Sequence, residues 1–191
     1  MGMYIAMCKR LFDTLAAIVL LVICTPVLII VAVLIRLGSS GNVIFTQERV
    51  GQSGESFDMF KFRSMVIGAD SQGPHFTSPT DIRVTKVGKF IRKTSLDELP
   101  QLCNVVLGQM SLVGPRPNVF VQRNEYTEEE WNIRNSVKPG ITGLAQATLR
   151  SSANRQQRLD LDLEYVQKSS LLFDVWVMLL TLKQMLQKGS H

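Results

Sequence analysis

Histidine is nearly absent from this chain: His75 and His191 are the two in 191 residues. That scarcity argues against a zinc centre built on imidazoles and against a Ser-His-Asp triad. Cysteine is scarce as well. Cys8, Cys24 and Cys103 are odd in number, their spacing fits no metal motif, and Cys24 lies inside an apolar run, so no disulfide framework is expected. Aromatic residues make up 7% of the chain, with no basic platform interleaved with rings, which removes nucleic acid from the expected partners. Acidic residues are missing from one stretch in particular. Residues 83–93 hold Arg83, Lys86, Lys89, Arg92 and Lys93 with no acid, and the remainder carries 16 charges of each sign. The net charge of +5 therefore sits in eleven residues.

Charge is wholly absent from Thr14 to Ile35, 22 residues of which 19 are apolar. As a helix this run is long enough to cross about 30 Å of hydrocarbon. A cleaved signal peptide fits poorly, because the run is too long, holds Pro26 at its centre and lacks a small-x-small cleavage site. Two features argue against a simple span. Pro26 removes a backbone hydrogen bond midway, while Thr25 can return its hydroxyl to a carbonyl one turn back. Cations flank both ends, Lys9 and Arg10 before the run and Arg36, Arg49, Lys61 and Arg63 after it. The positive-inside rule places both ends on the cytoplasmic side. A helix-break-helix at Thr25-Pro26 that enters and leaves one leaflet satisfies both, while hydropathy alone makes a single spanning helix the default, and the residues leave the two open.

Beyond the run, Asn42–Val50 and Ser56–Met65 read as a β-hairpin around the turn Gly51-Gln52-Ser53-Gly54. Alternation puts Lys61 and Arg63 on one face, read as solvated, and Phe60 and Phe62 on the other. Residues 68–82 read as a loop rich in Gly, Ser, Pro and Asp. Thr127 with Glu130 forms a capping box at a helix start, Pro139-Gly140 stops that helix, and Gly140-Ile141-Thr142-Gly143 suggests a tight turn with close backbone approach. Residues 153–168 are polar and helical. The apolar Val175–Leu182 is too short to span, so it is a core helix or a membrane-surface helix. The expected fold class is α+β, mostly helical: an N-terminal Pro-broken membrane helix (1–38), re-entrant in the form that the family resemblance given below implies, and a domain (39–188) holding the hairpin, soluble helices and an interfacial C-terminal helix. Residues 189–191 read as an expression remnant.

The densest polar chemistry is Arg92-Lys93-Thr94-Ser95-Leu96-Asp97-Glu98-Leu99-Pro100. A capping box from Ser95 to Glu98 accounts for one acid, and Pro100 near a later helix start is the alternative. Neighbours on a helix diverge by about 100°, so one carboxylate could attack while the other holds a metal. Gly114-Pro115-Arg116-Pro117 fixes an arginine between two prolines, suited to gripping phosphate oxygens. Arg150 and Asp162 follow, each unremarkable alone.

Together these segments resemble the bacterial sugar transferase family, in its small monotopic phosphoglycosyl transferase form. The matching pieces are the Pro-broken helix, QERVG (47–51), KFRSM (61–65), GKFIRKTSLDELPQL (88–102), MSLVGPRP (110–117), KPGITGLAQ (138–146) and the Arg150…Asp162 pair. The resemblance implies transfer of a sugar phosphate from a UDP-sugar to polyprenyl (undecaprenyl) phosphate, with release of UMP, at the start of bacterial glycan assembly. It implies that Asp97 and Glu98 are catalytic, Asp97 as a nucleophile carrying a covalent phosphosugar and Glu98 as the Mg²⁺ ligand. Lys61, Arg92, Arg116, Arg150 and Asp162 fall on substrate- and phosphate-handling positions. The implied setting is the bacterial cytoplasmic (inner) membrane, with the catalytic domain on the cytoplasmic face, and a homodimer is compatible with it. Phosphoryl transfer needs positioning and charge neutralisation above all, so a site of carboxylates, Mg²⁺ and cations is adequate without histidine. The chain departs from the family pattern at Thr25 of the break, at Leu144, at Thr148-Leu149 and after Tyr165-Val166. Those departures bear on the donor and leave the reaction class intact. The rival reading is a non-catalytic, membrane-tethered basic module or scaffold that binds anionic lipid through residues 83–93.

Overall fold

The computed structural model describes residues 3–69, 81–149 and 154–188. Both histidines, Arg150 and residues 189–191 lie outside them, as does most of the expected loop at 68–82.

Helix α1 runs from Met3 to Gly38 as one uninterrupted element with Pro26 inside it. The expected division into two helices at Thr25-Pro26 does not appear in its hydrogen bonding. Proline's fixed φ suits a helix, and the cost is one missing donor. The Thr25 hydroxyl donates to Leu21 O at 2.7 Å, so it turns to the carbonyl beside the one that Pro26 leaves free. Among the described residues this is the one helix long and apolar enough to enter a bilayer, with mean hydropathy 3.4 over its most apolar part.

Both flanks of the apolar run rest on the same body. Near the start, Lys9 reaches Asp174 at 2.5 Å, Asp13 accepts from the Ser111 hydroxyl at 2.7 Å, and Ala17 is fully buried in the main core. Near the end, Val31 and Ile35 are buried with Phe62 and Ile91 in a second cluster. Between them Val22, Ile23, Ile29 and Ile30 are exposed.

The hairpin forms as expected. β1 (Ile44–Val50) pairs antiparallel with β2 (Ser56–Phe62), from Ile44 opposite Phe62 to Val50 opposite Ser56. Its basic face is not solvated. Lys61 shares its face with buried Phe57 and Met59, and its own side chain is 16% exposed. Arg63 donates to the carbonyls of Ser39 and Ser40, tying the hairpin to the chain that leaves α1.

Helix α2 (Lys86–Lys93) is capped by the Thr85 side chain, which accepts from Gly88 N. Arg83, a member of the basic segment that the rival reading sets against anionic lipid, is instead buried against Asp81 at 2.7 Å and donates to Ala69 O. Helix α3 (Gln101–Leu107) begins just after Pro100, the later of the two expected starts. Asn104 on α3 is fully buried and acts like one more strand residue. Its side chain accepts from Phe60 N at 3.0 Å and donates to Asp58 O at 2.7 Å, locking α3 to β2.

β3 (Ser111–Val113) pairs in parallel with β4 (Gly140–Thr142), so the segment read as a tight turn is a short strand. The expected close approach is present: a Cβ on Gly140 would lie 2.0 Å from Gly114 N. α4 (Glu128–Arg134) starts at the expected Thr127–Glu130 capping box and ends at Asn135, ahead of Pro139. α5 (Leu144–Thr148) buries Leu144 in the main core. α6 (Arg155–Lys168) is capped by Asn154. α7 (Leu171–Lys188) contains Val175–Leu182: Val177 is fully buried in the core, as a core helix requires, while Leu172, Trp176, Leu179 and Leu182 are exposed.

Candidate active site

Three elements bring charge to one place. β2 carries Lys61, the 3₁₀ turn Leu96–Glu98 carries the two carboxylates, and the loop after β3 carries Arg116. Lys61 Nζ lies 3.1 Å and Arg116 Nη2 2.8 Å from the same atom, Glu98 Oε1. Asp97 beside it is buried.

The capping box read from Ser95 to Glu98 is not formed. Ser95 sits at φ 57 in the left-handed region and its side chain caps nothing. A non-glycine residue there costs about 1–2 kcal/mol. That conformation turns the chain out of α2 and into the 3₁₀ turn, which carries both acids ahead of α3. Asn104 then ties α3 to the strand that bears Lys61, so the spacing of Lys61 and Glu98 follows from packing.

The two carboxyls titrate apart. Burial pushes Asp97 above the usual carboxylate range and the Glu98 charge adds to it, with Lys61 and Arg92 opposing. Burial pushes Glu98 the same way, but Arg116 and Lys61 outweigh it and hold Glu98 at about 2. Burial lowers Lys61, as does Arg116, against the pull of Glu98. Glu98 raises Arg116. Glu98 is thus a fixed anion between cations, and Asp97 is the more readily protonated neighbour. Such separation of adjacent groups accompanies division of roles at reactive sites.

Arg116 is held through its backbone. Gly140 N donates to Pro115 O at 3.0 Å, Arg134 Nη2 to Arg116 O at 2.6 Å, Arg49 Nη1 to Pro117 O at 3.1 Å, and Val50 N to Asn118 O at 2.9 Å. Four successive carbonyls therefore have donors, while the Arg116 side chain itself stays half exposed. Burial and the nearby Arg116 charge lower the Arg49 guanidinium to about 10, against Glu98.

Of the expected site residues, the structure brings together Lys61, Asp97, Glu98 and Arg116. Arg92 donates through Nε to Ser64 Oγ at 2.8 Å and contributes its field at Asp97. Arg150 falls outside the described residues. Asp162 is not a contact of the cluster. It is buried against Arg134 Nε at 2.9 Å, and so stands behind the arginine that grips Arg116 O. Burial pushes Asp162 up, against the Arg134 charge. Sequence reasoning did not single out Asn104 or Arg134 and did not place Arg49 at the site. Asn104 and Arg134 carry no local pattern, whereas Arg49 lies inside QERVG and could have been found there.

Among the described residues no group of three His, Cys, Asp or Glu side chains could cage a metal. Mg²⁺ does not require one, since it is commonly held by one or two carboxylates with substrate phosphates and water. Asp97 and Glu98 fit that donor set, and both cations meet Glu98 at Oε1 rather than Oε2.

The bacterial sugar transferase family model matches residues 4–188. The UDP-glucose:undecaprenyl-phosphate glucose-1-phosphate transferase of Klebsiella pneumoniae is 39% identical over 191 residues, covering 96% of this chain and 41% of that protein. The protein of the same name from Escherichia coli (strain K12) is 41% identical over 180 residues, covering 91% and 39%. The uncharacterized sugar transferase EpsL of Bacillus subtilis (strain 168) is 44% identical over 179 residues, covering 93% and 87%. The chain thus spans about two-fifths of the length of the first two relatives. With a match along nearly its whole length, this chain belongs to the bacterial sugar transferase family.

Proposed function

We propose that the chain transfers a sugar phosphate from a UDP-sugar to polyprenyl phosphate, by way of a covalent intermediate on Asp97. The observation that carries this reading is the convergence of Lys61 and Arg116 on Glu98 beside the buried Asp97. Two relatives are named as transferases of glucose-1-phosphate from UDP-glucose to undecaprenyl phosphate, which supports the same class of donor and acceptor.

In this mechanism an Asp97 carboxylate oxygen attacks the phosphorus that bears the sugar. A new O–P bond forms, the bond to the bridging oxygen of the diphosphate breaks, and UMP leaves with that electron pair. An oxygen of the lipid phosphate then attacks the same phosphorus and Asp97 departs as a carboxylate. Lys61 and Arg116 grip phosphate oxygens and offset charge as it shifts, with Arg92 contributing at Asp97. Glu98 would hold Mg²⁺, assisted by substrate phosphates, and the ion would supply neutralisation of the diphosphate charge.

The membrane arrangement proposed is re-entrant, with both ends of the apolar run on the cytoplasmic face of the inner membrane. Packing of Ala17 in the main core and of Val31 in the second cluster supports it, because a bilayer span would have to lift one of them off the domain; the turn back at Thr25-Pro26 belongs to this proposal, since α1 itself runs unbroken. The departures at Thr148-Leu149 remain the candidates for tuning the donor.

The test is UMP release from purified membranes with Mg²⁺ and a panel of UDP-sugars, with and without polyprenyl phosphate. Turnover with acceptor, a single-equivalent burst without it, and loss of both in Asp97→Asn or on chelation are expected. No turnover across the panel, or full activity in Asp97→Asn, overturns the reading. For topology, single cysteines placed before Lys9 and after Gly38 should label from one side. Labelling from opposite sides overturns the re-entrant form.

A further inference from the structure

Helix α2 has two faces of opposite character. Gly88 and Ile91 are buried inward. Lys86, Lys89, Phe90 and Lys93 are all exposed, at positions i, i+3, i+4 and i+7, which lie along one stripe of a helix. The helix cannot roll to hide this stripe, since a Cβ on Gly88 would meet Ser64 O at 1.9 Å. Two other cations of the basic segment are spent elsewhere, Arg83 on Asp81 and Arg92 on Ser64. Among the described residues none of the three lysines forms a salt bridge. The helix packs through Ile91 on Val31 and Ile35 of α1, beside the place where the apolar run ends.

We propose that this stripe docks on the anionic lipid headgroups of the leaflet that α1 enters, with Phe90 seated between them. Charge complementarity favours that occupant. A lysine near an anionic leaflet gains about fivefold in partitioning, within a Debye length of about 8 Å. An aromatic ring among cations suits the headgroup layer, where one end of a contact is apolar and the other wet. The stripe is also continuous with α1, the element that brings the chain to lipid. The inference rests on the membrane placement proposed above and is independent of the transfer reaction.

The test uses the full chain in nanodiscs of zwitterionic lipid and in discs with about 30 mol% phosphatidylglycerol. Acetylation rates of Lys86, Lys89 and Lys93 are read by mass spectrometry. Labelling about fivefold slower in the anionic discs is expected, with the difference abolished at about 0.5 M NaCl. A Lys86→Gln/Lys89→Gln/Lys93→Gln variant should retain less phosphatidylglycerol on extraction than the parent chain. Equal labelling in both discs overturns the proposal. So does protection that appears in zwitterionic discs on adding trace polyprenyl phosphate and not with phosphatidylglycerol, which would make the stripe an acceptor site. UMP release from the same discs is scored separately, so failure of the reaction leaves the labelling result interpretable.

Discussion

Arg134 holds the backbone carbonyl of Arg116 at 2.6 Å, and Asp162 holds Arg134 at 2.9 Å from behind. Asp162 thereby acts on the site at one remove, through an arginine that never touches Glu98. Removing Arg134 alone would strand a buried carboxylate, at about 3–5 kcal/mol, whereas replacing both partners with apolar residues is often close to neutral. The pair variant Arg134→Met/Asp162→Leu should therefore keep its melting temperature within a few degrees. Its kcat/KM for the proposed UDP-sugar donor should fall about tenfold, with no further loss when combined with Arg116→Ala. Additive losses in that cycle would show that the pair does not work through Arg116.

Asn104 makes the bonds that join α3 to β2, and so sets where Glu98 lies relative to Lys61. Asn104→Ala leaves Phe60 N and Asp58 O without these partners inside the fold, a cost of about 2–4 kcal/mol. Thermal unfolding in detergent should show a marked drop in midpoint. An unchanged midpoint would mean that the helix and strand are held by their apolar contacts alone.

Ser95 occupies a left-handed conformation with no cap to compensate. Ser95→Gly should raise stability by up to about 1 kcal/mol, and Ser95→Val should lower it by about 1–2 kcal/mol. The comparison is a denaturation midpoint for the two variants against the parent. The opposite order would contradict the backbone argument.

The pH behaviour follows from the two carboxyls. In the proposed mechanism Asp97 must be ionised to attack, and burial followed by the Glu98 charge raises it, so kcat/KM should fall with decreasing pH on a limb above 3.8. Glu98 stays ionised through that range, held at about 2 despite burial by Arg116 and Lys61. Its contribution to stability is present above its ordinary 4.5 and is lost as pH falls through about 2. Asp97 has the opposite sign, favouring the fold at low pH and losing that contribution as pH rises through its raised value. Glu98→Gln should therefore flatten the acid loss of stability in a pH series of melting temperatures. An acid limb of activity at or below 3.8 would contradict the shift assigned to Asp97.

Much of this was legible in the sequence. The hairpin, the Thr127 cap and the polar helix now seen at Arg155–Lys168 follow from period and turn chemistry, whereas the grouping of Lys61 with Asp97, Glu98 and Arg116 was legible only through the family resemblance. Other features depend on partners distant in the chain. Alternation could place Lys61 and Arg63 on one face, but not say that Glu98 would pair with Lys61 or that Ser39 and Ser40 would take Arg63. The β3–β4 pairing joins two three-residue segments 29 positions apart, too short to register as strands locally. Asp162 carries a family position, yet its partner Arg134 sits 28 residues earlier and bears no pattern of its own. Long-range pairing settles each of these cases, whereas periodicity reports mainly on neighbours.

The packing at the two flanks of α1 has a mechanical consequence. Ala17 is packed in the main core and Val31 in the second cluster, so the exposed helical stretch between them is pinned at both ends. Its thirteen residues amount to about 20 Å of rod. A rod pinned at both ends cannot slide or swing independently of the domain, so residues added or removed between positions 18 and 30 would strain one of the two anchors. In the re-entrant seating proposed above, the turn back would have to form at Thr25-Pro26. A chain so seated would displace area in one monolayer only and would be expected to respond to lateral pressure and curvature, which a symmetric span largely ignores.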